Sequence, residues 1–440
     1  MVKTEKKLLL IIILFFASIS LITLFNYKLV WWDEAVYIGI GKHIYSSGRV
    51  GIFEEIRPLG LPVFLGALWF IGLDPLISGR IFVLLASLLN IYLIYLIGKR
   101  IFDSKTAILS SLLLAFTPIY YNYSYLLLTG ILSTTYALMS IYFFIQKRNL
   151  KNISISSFFL GLSFLTRFPQ GLVLPCFLIF LFYKKEFKNI FLLLVIFLLT
   201  TSPYLIFNYF QYGSIFTPFT KASEIITEYS WLYSHYPLFY FRELFLQNFL
   251  FILTIPFFYF FYRERKGTLI LLIFIIFIVF FSMTLHKELR YSLVFLPYLC
   301  LLSSKGFLSL KLNENVKKIL IIFFVFILFF NLLPAIFFTP ISYSEKEIEF
   351  YSNFTEGDTI YSTTPLLAYF SDAKIVPIYT TLDRAEEFIK KEKPDKVFFV
   401  DSFPCNTQEC ENTKRELINW MKENYNYTYY EEKEYYFFVK

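Results

Sequence analysis

Two adjacent carboxylates, Asp33 and Glu34, follow the first long apolar segment of the chain, within the sequence WWDEAVY at residues 31–37. Tryptophan and tyrosine prefer the interface between a bilayer and water, so the pair is predicted to lie where a hydrophobic helix leaves the membrane. A carboxylate in that place can take a proton from an attacking hydroxyl group and act as a general base. The alternative interpretation is a solvated loop that begins a short surface helix.

Several cationic side chains stand in loops between apolar segments and could hold a phosphate group. They are Arg57, Arg80, Arg167, Lys287 and Arg290, with His286, one of three histidines in the chain, beside the last two. The alternative for each is a side chain that snorkels to the interface or forms a salt bridge to Glu54, Glu55 or Glu288. A lone interfacial histidine is also more often structural than catalytic. Together, these residue types suit a displacement on a lipid phosphate, with a base for the hydroxyl and cations for the leaving group.

The composition places most of these 440 residues in a membrane, because 57% are apolar, 22% are aromatic and only 17% are charged. The net charge of +8 does not favour nucleic acid as a partner. Lysine and arginine occur in short clusters between apolar segments, where they set the orientation of a protein in the bilayer. The first apolar segment, 8–25, is not followed by the small-residue cleavage site of a signal peptide and is predicted to be retained as a span.

The basic clusters predict the topology when all of them are placed in the cytoplasm. They lie at Lys3/Lys6/Lys7, Lys99/Arg100/Lys105, Lys147/Arg148/Lys151, Lys184/Lys185/Lys188, Arg263/Arg265/Lys266 and Lys305/Lys311/Lys317/Lys318. Consistent alternation requires that segment 58–73, which is short and contains prolines and glycines, be interfacial or re-entrant. The predicted crossings are then eleven, at 8–25, 80–98, 106–121, 130–146, 153–166, 169–183, 189–207, 244–262, 268–285, 291–304 and 319–338. The N-terminus is cytoplasmic, and the acidic pair and candidate cations face outside.

The amino-acid composition changes after residue 340, from apolar to charged. Residues 341–440 carry 12 basic and 19 acidic side chains, a net charge of −7 that leaves +15 for the preceding part. Strand and helix patterns alternate there, and the apolar run at 397–400 is typical of a buried parallel strand. We therefore expect a polytopic α-helical membrane domain at 1–340, with a first outer loop at 26–79, and an extracytoplasmic α/β domain at 341–440.

Cys405 and Cys410 both fall in this predicted outer domain. A local disulfide between them fits an oxidising exterior. A metal site does not fit, because only two thiols are present and no histidine is near them.

Several fragments of the chain resemble the GT-C membrane glycosyltransferases, especially the ArnT-like and protein O-mannosyltransferase-like group that uses polyprenyl-phosphate sugars. WWDEAVY resembles the Asp-Glu motif of the family's first outer loop, and IRPLGLPVFLGALWFIG resembles its Lys-Pro-Pro-type amphipathic helix. GRIFVLLASLLNIYLIYLIGKRIF resembles the next family span, FLGLSFLTRFPQGLVLP the later Thr-Arg turn, and HKELRYSLVFLP a segment of related lipid-linked mannosyltransferases. The soluble tail resembles outer α/β domains of prokaryotic members.

The resemblance implies an inverting transfer of a hexose, such as mannose, or a pentose from dolichyl or undecaprenyl phosphate to a glycan, lipid or protein acceptor on the outer face of the cell membrane. It places Asp33 at the position of the catalytic base, Glu34 beside it and Arg57 where the family often has a phosphate-binding lysine. The other donor-binding candidates are Arg80, Arg167, His286, Lys287 and Arg290. Trp32, Tyr37 and Glu288 are expected to line the acceptor cleft.

Gly130 lies close to the place where many relatives have an aspartate in the second outer loop, so we expect no divalent metal and no other cofactor. Two alternatives stay open. A lipid or glycan transporter is disfavoured, because the predicted spans lack central charged residues and repeated halves. A non-catalytic membrane scaffold with an outer binding domain predicts that the first outer loop tolerates neutral residues in place of its acidic pair.

Overall fold

The computed structural model of the chain describes residues 2–228, 230–337, 345–352, 354–378, 382–400, 405, 407–430 and 435–440. Its helices, in chain order, are α1 (Val2–Asn26), α2 (Trp32–Tyr45), α3 (Gly60–Phe70), α4 (Pro75–Ile101), α5 (Ser104–Phe116), α6 (Pro118–Tyr123), α7 (Thr129–Phe144), α8 (Leu150–Thr166), α9 (Val173–Tyr183), α10 (Phe187–Tyr212), α11 (Thr217–Glu228), α12 (Ser230–Tyr233), α13 (Phe239–Gln247), α14 (Thr254–Glu264), α15 (Thr268–Met283), α16 (Leu296–Ser309), α17 (Glu314–Ile336), α18 (Glu345–Ser352), α19 (Leu367–Phe370), α20 (Leu382–Glu392) and α21 (Gln408–Asn424). The strands are β1 (Thr359–Ser362), β2 (Lys374–Pro377), β3 (Lys396–Val400), β4 (Asn426–Tyr430) and β5 (Tyr435–Val439).

The chain forms two compact units. The first, called the membrane unit, contains Met1–Tyr27, Arg80–Thr217 and Ile226–Thr339. The second, called the outer unit after its predicted location, contains Lys28–Gly79, Pro218–Ile225 and Pro340–Lys440. The first loop therefore clusters with the C-terminal segment, whereas the sequence assigned it to the transmembrane domain.

Among the described residues, four helices are long and apolar enough to cross a membrane, namely α1, α4, α10 and α17. Six further apolar helices have 10–17 residues, fewer than the roughly 20 that a straight crossing needs. The helical membrane fold is thus confirmed, whereas the number of eleven crossings stays a prediction. The segment predicted to cross at 244–262 is not one straight helix. It is interrupted near Asn248 by a bend of 117°, so that its two parts could form one broken span or a re-entrant loop.

Small and hydroxylated side chains join the helices of the membrane unit. Ser163 on α8 donates to the carbonyl of Ser133 on α7 at 2.7 Å, and Thr254 and Ser303 join α14 to α16 at 2.7 Å. At Gly306 a Cβ would lie only 1.8 Å from the carbonyl oxygen of Leu253, so this contact requires glycine. Such close approaches and interhelical hydrogen bonds are typical of helix packing within a bilayer, where apolar burial alone provides little association energy.

The outer unit contains a five-stranded sheet with the strand order β2-β1-β3-β5-β4. Strands β1, β2 and β3 are parallel, and β5 and β4 complete the sheet in antiparallel pairing. Strands and helices alternate from β1 to β4, as predicted for 341–440, which confirms the α/β fold of this segment. Helices α20 and α21 cover one apolar face, where Leu417 and Met421 pack with Val397 and Phe438.

The other apolar face of this sheet belongs to a core that includes the first loop. Val36 and Ile40 of α2 and Ile52 are buried in the same cluster as Ile360 and Phe398 of the strands. Helix α2 also packs closely against α3, because a Cβ at Gly41 would lie 2.6 Å from the carbonyl oxygen of Pro62. This shared core explains why the loop clusters with the C-terminal segment.

A disulfide joins Cys405 and Cys410, whose Cα atoms are 5.5 Å apart. It lies where the chain enters α21, a helix that Thr407 caps by accepting a hydrogen bond from the backbone N–H of Cys410 at 3.1 Å. Cys176 and Cys300 are buried thiols of the membrane unit.

Candidate active site

The acidic pair lies in the first turn of α2, where the helix dipole favours negative charge. Glu34 is fully buried, and its Oε2 accepts a hydrogen bond from the backbone N–H of Trp31 at 2.9 Å. A glutamate at the third helical position that reaches back in this way satisfies a donor that the start of the helix leaves without an intrahelical partner. Glu34 therefore stabilises the first turn on which Asp33 stands.

Asp33 is 9% exposed and pairs with Arg57, whose Nη2 lies 3.0 Å from Asp33 Oδ1. The Nε of Arg57 donates to Glu54 Oε2 at 2.8 Å, so a second carboxylate orients the guanidinium. Burial alone would lower the pKa of Arg57, but Asp33 and Glu54 outweigh burial and raise that pKa well above its ordinary value. A permanent cation thus holds the Asp33 carboxylate in one place.

The aromatic residues of this motif differ in exposure. Tyr37 is buried, and its ring centroid lies 5.6 Å from the Arg57 guanidinium carbon, in the range of a cation–π contact. Trp32 is 43% exposed at the first position of the helix. Of the two aromatic residues predicted to line an acceptor cleft, Trp32 presents its surface to the surroundings and Tyr37 supports Arg57.

A second group of predicted residues forms around Glu288 in the membrane unit, and we call His286, Glu288, Arg290 and Tyr291 the Glu288 cluster. Glu288 Oε1 accepts hydrogen bonds from Arg290 Nη2 and from the Tyr291 hydroxyl, both at 2.8 Å, and lies 2.9 Å from His286 Nε2. Burial alone would raise the pKa of Glu288. The bonds from His286 and Arg290 outweigh it and hold the pKa well below its ordinary value.

Arg167 joins the Glu288 cluster from the end of α8. Its guanidinium carbon lies 4.9 Å from the ring centroid of Tyr291, and its Nη1 donates to Thr129 Oγ1 at 3.2 Å. His286 stacks on Tyr233 with ring centroids 4.2 Å apart. Within the described part of the chain, Arg167 Nε and His286 Nδ1 are buried and have no hydrogen-bond partner. An anion is a suitable acceptor for the Nε–H group of Arg167, since each buried polar atom needs a partner.

The two remaining predicted cations are tied to backbone carbonyl groups. Lys287 is 6% exposed and donates to the carbonyl of Thr284 at 2.6 Å. Arg80, at the start of α4, is 3% exposed and donates to the carbonyl of Tyr27 at 2.8 Å. Arg80 therefore connects α4 to the end of α1, and Lys287 holds the turn that carries the Glu288 cluster.

The structure thus groups the predicted residues in two places. Asp33 and Arg57 meet in the outer unit, and Arg167 meets the Glu288 cluster in the membrane unit. The salt-bridge alternative applies to Arg57 and Arg290, whose carboxylate partners are Glu54 and Asp33 in the first case and Glu288 in the second.

Sequence reasoning missed two contributors to these groups, Tyr233 and Tyr291, whereas it named Glu54 as a possible salt-bridge partner. Short chain spacing could have suggested Tyr291, because it follows Arg290 directly. Tyr233 gives no local signal. Among the described residues, no group of three or more His, Cys, Asp or Glu side chains is arranged to hold a metal ion. The expectation that no metal is required stays a prediction.

Part of the chain matches a known protein family. Residues 57–207, from Arg57 through Arg80 and Arg167, match the family model described as dolichyl-phosphate-mannose-protein mannosyltransferase. No curated protein matches the chain significantly.

Several solved structures resemble the whole chain, and two of them illustrate the match. ArnT from Cupriavidus metallidurans bound to undecaprenyl phosphate has a TM-score of 0.68 at 13% identity, with 97% of each chain covered. The oligosaccharyltransferase AglB from Archaeoglobus fulgidus, in complex with an inhibitory peptide and a dolichol-phosphate, has a TM-score of 0.65 at 12% identity, covering 99% of this chain and 74% of that one. These matches confirm the resemblance to GT-C membrane glycosyltransferases, and the likeness to the solved structures is one of fold.

Proposed function

We propose that the chain is an integral membrane glycosyltransferase that moves a sugar from a polyprenyl-phosphate donor to an acceptor on the outer face of the cell membrane, with inversion. The observation that carries this proposal is the Asp33–Arg57 pair, a carboxylate held at the head of α2 by a guanidinium. The family match over residues 57–207 supports it. The fold shared with an ArnT bound to undecaprenyl phosphate and an AglB bound to a dolichol-phosphate supports the choice of donor.

The reaction is a single displacement at the anomeric carbon of the sugar. The acceptor oxygen forms a bond to that carbon while Asp33 takes the proton of the acceptor hydroxyl group. The bond from the anomeric carbon to the phosphate oxygen breaks, and polyprenyl phosphate leaves with the electron pair. Attack from the face opposite the leaving group inverts the configuration.

The cations around the Glu288 cluster stabilise the charge that develops on the phosphate. Arg290 and His286 bond to the Glu288 carboxylate, Arg167 lies over the ring of Tyr291, and Lys287 is adjacent to Glu288 in the chain. Preorganised cations of this kind lower a barrier because they need no rearrangement as the leaving group becomes charged. In this scheme Arg57 orients the base, Glu34 holds its helix, and Glu288 holds the cations.

The proposal extends to sidedness and substrates. The N-terminus is cytoplasmic and the C-terminal α/β domain is extracytoplasmic. The sugar is a mannose-like hexose or a pentose, and the acceptor is a glycan, a lipid or a protein that reaches the exposed Trp32.

The test is transfer from a small panel of polyprenyl-phosphate hexoses and pentoses by purified full-length protein, with cell-envelope extract as the source of acceptor. Asp33→Asn should reduce transfer by about 100-fold or more. Asp383→Asn is the matched control, because Asp383 is also an acidic residue in the first turn of a helix, is exposed, and lies in the C-terminal domain.

Full transfer by Asp33→Asn would remove Asp33 from the mechanism. If the donor moved across the membrane without losing its sugar, the transporter alternative would replace this proposal. Binding of the donor without transfer, equal in the wild type and in Asp33→Asn, would instead support a scaffold.

A further inference from the structure

Helix α2 carries Asp33 at its start, and its later turns are buried in the C-terminal domain. Val36 and Ile40 are inaccessible to solvent and share a core with Ile360 and Ala368. The fit is close at Gly39, where a Cβ would lie 2.7 Å from the Cβ of Ala368. The helix therefore packs against the domain through two successive turns.

A buried lysine adds directional hydrogen bonds to this apolar packing. Lys42 is 4% exposed, and its ammonium donates to the carbonyl oxygens of Tyr369 at 3.0 Å and Ser371 at 2.9 Å and to Asp372 Oδ1 at 3.1 Å. Three acceptors use all three donors of the ammonium group. The two carbonyl groups lie at the end of α19, where helical carbonyls lack intrahelical partners.

The segment after α2 is also joined to the domain, at the edge of the sheet. The backbone N–H of Gly51 donates to the carbonyl of Ala373 at 2.9 Å, and Ile375 of β2 donates to the carbonyl of Gly51 at 2.8 Å. Gly51 has φ +81°, and a Cβ there would lie 2.2 Å from the carbonyl oxygen of Gly39. The loop thus extends the edge of the sheet and closes against the middle of α2.

Apolar packing alone does not explain a lysine at this position. Burial lowers the pKa of Lys42, against the opposing effect of Asp372, so the buried charge opposes folding. Packing alone would hold the helix against the domain, but apolar contacts are not directional. The three hydrogen bonds set the rotation and axial position of α2, because each has a preferred distance and angle.

We infer that the C-terminal domain positions helix α2, which carries Asp33, and that Lys42 is a positioning residue that acts on Asp33 through this helix. Lys42 follows Asp33 by nine positions, about 13.5 Å along the helix axis, and a helix that is buried along this length moves as one body. The inference rests on the proposed function of Asp33, and it gives the C-terminal domain a role in that same site.

The first test compares Lys42→Met with Arg49→Gln in the full-length protein. Arg49 also pairs across from the first loop to the C-terminal segment, with Glu356 at 2.7 Å, but both of these side chains are more than half exposed. Hydrogen exchange of the backbone amides of residues 36–45 should become about 10-fold faster in Lys42→Met and should not change in Arg49→Gln. Exchange in β3 and β5 should stay at the wild-type rate and report an intact domain.

Transfer activity supplies the second readout. Lys42→Met should lower kcat by about 10-fold to 100-fold, since displacement of a catalytic group by a fraction of its diameter has effects of this size, with KM for the donor nearly unchanged. Arg49→Gln should stay within about two-fold of the wild type. Asp372→Asn, which keeps both carbonyl contacts of Lys42, should give a smaller loss and remains informative if Lys42→Met does not fold.

A double-mutant comparison separates positioning from general destabilisation. Asp33→Glu keeps a carboxylate but already displaces it, so adding Lys42→Met to that variant should reduce its residual rate by less than about three-fold. An equal reduction in both backgrounds would overturn the inference, as would wild-type exchange of α2 in Lys42→Met. Full transfer by Asp33→Asn would instead contradict the proposed function. The exchange measurement would still test whether Lys42 holds α2 against the C-terminal domain.

Discussion

Arg57 fixes Asp33 by an ion pair with Nη2 3.0 Å from Asp33 Oδ1, while its own Nε is held by Glu54 at 2.8 Å. The guanidinium presents several donors in a planar fork, so two carboxylates can bind different nitrogen atoms of one rigid group. Glu54 therefore acts on Asp33 indirectly, through Arg57. The arrangement separates the residue proposed to take the proton from those that keep it in position.

Glu54→Gln is expected to lower kcat by about 10-fold, because the neutral amide holds Arg57 less firmly and the orientation of Asp33 relaxes. Steady-state transfer kinetics with the purified protein measure this. Glu55→Gln is the matched control, since Glu55 is adjacent but pairs with Lys221 on the surface. Equal rates for Glu54→Gln and the wild type would show that Arg57 needs only one carboxylate.

Glu34→Gln is expected to lose no more than about three-fold in transfer rate, because a glutamine oxygen can still accept the hydrogen bond from the N–H of Trp31. Glu34→Ala removes that acceptor and should destabilise the protein by about 1 kcal/mol. Activity and thermal unfolding measured on both variants test the capping role. A loss in Glu34→Gln as large as that in Asp33→Asn would make Glu34 the base instead.

Arg167→Gln is expected to raise KM for the polyprenyl-phosphate donor by about 10-fold, because it removes a cation next to the Glu288 cluster whose buried Nε has no hydrogen-bond partner among the described residues. Arg167→Lys keeps the charge without the planar fork, so its KM should lie between those of the wild type and Arg167→Gln. The control is Arg148→Gln, which breaks an ion pair with Glu186 on a loop predicted to be cytoplasmic. An unchanged KM in Arg167→Gln would exclude Arg167 from donor binding.

Glu288→Gln is expected to destabilise the protein by about 3 kcal/mol at neutral pH, since it leaves partly buried cations without their anion. The pKa of Glu288 is depressed in the folded protein, so its contribution to stability is present above the unfolded pKa, near 4.5, and is lost as the pH falls toward the folded pKa. Thermal unfolding in detergent should therefore show a difference between wild type and variant that narrows below about pH 4.5. A difference independent of pH would contradict this assignment.

The predicted orientation can be tested by cysteine labelling in intact cells. A membrane-impermeant maleimide should label Tyr236→Cys from outside, and Lys99→Cys only after the membrane is opened, because both native positions are exposed on opposite predicted faces. Background labelling should be low, since Cys176 and Cys300 are buried and Cys405 is bonded to Cys410. External labelling of Lys99→Cys would invert the topology and remove the argument for a reactive outer face.

Local sequence determined the class of the protein and the elements of its C-terminal domain. The length and composition of an apolar segment indicate whether lipid or water surrounds it. The alternation of strand and helix patterns at 341–440 can likewise be recognised from neighbouring residues alone. The same locality placed Asp33 and Glu34 just after the first apolar segment, and it offered the helix that begins at this pair only as an alternative. It could not say where the helices of 10–17 residues end relative to a bilayer, because breaks such as that near Asn248 depend on packing.

Tertiary structure alone decided which side chain meets which. The sequence placed Glu34 beside Asp33, the expected base, without a defined contact for either carboxylate, whereas in the fold Glu34 bonds back to Trp31 and Asp33 pairs with Arg57. The fold also joined Lys42 to Asp372, 330 residues away. No pattern of neighbouring residues encodes such a contact, since it arises only when burial of α2 and the sheet in one core brings distant segments together.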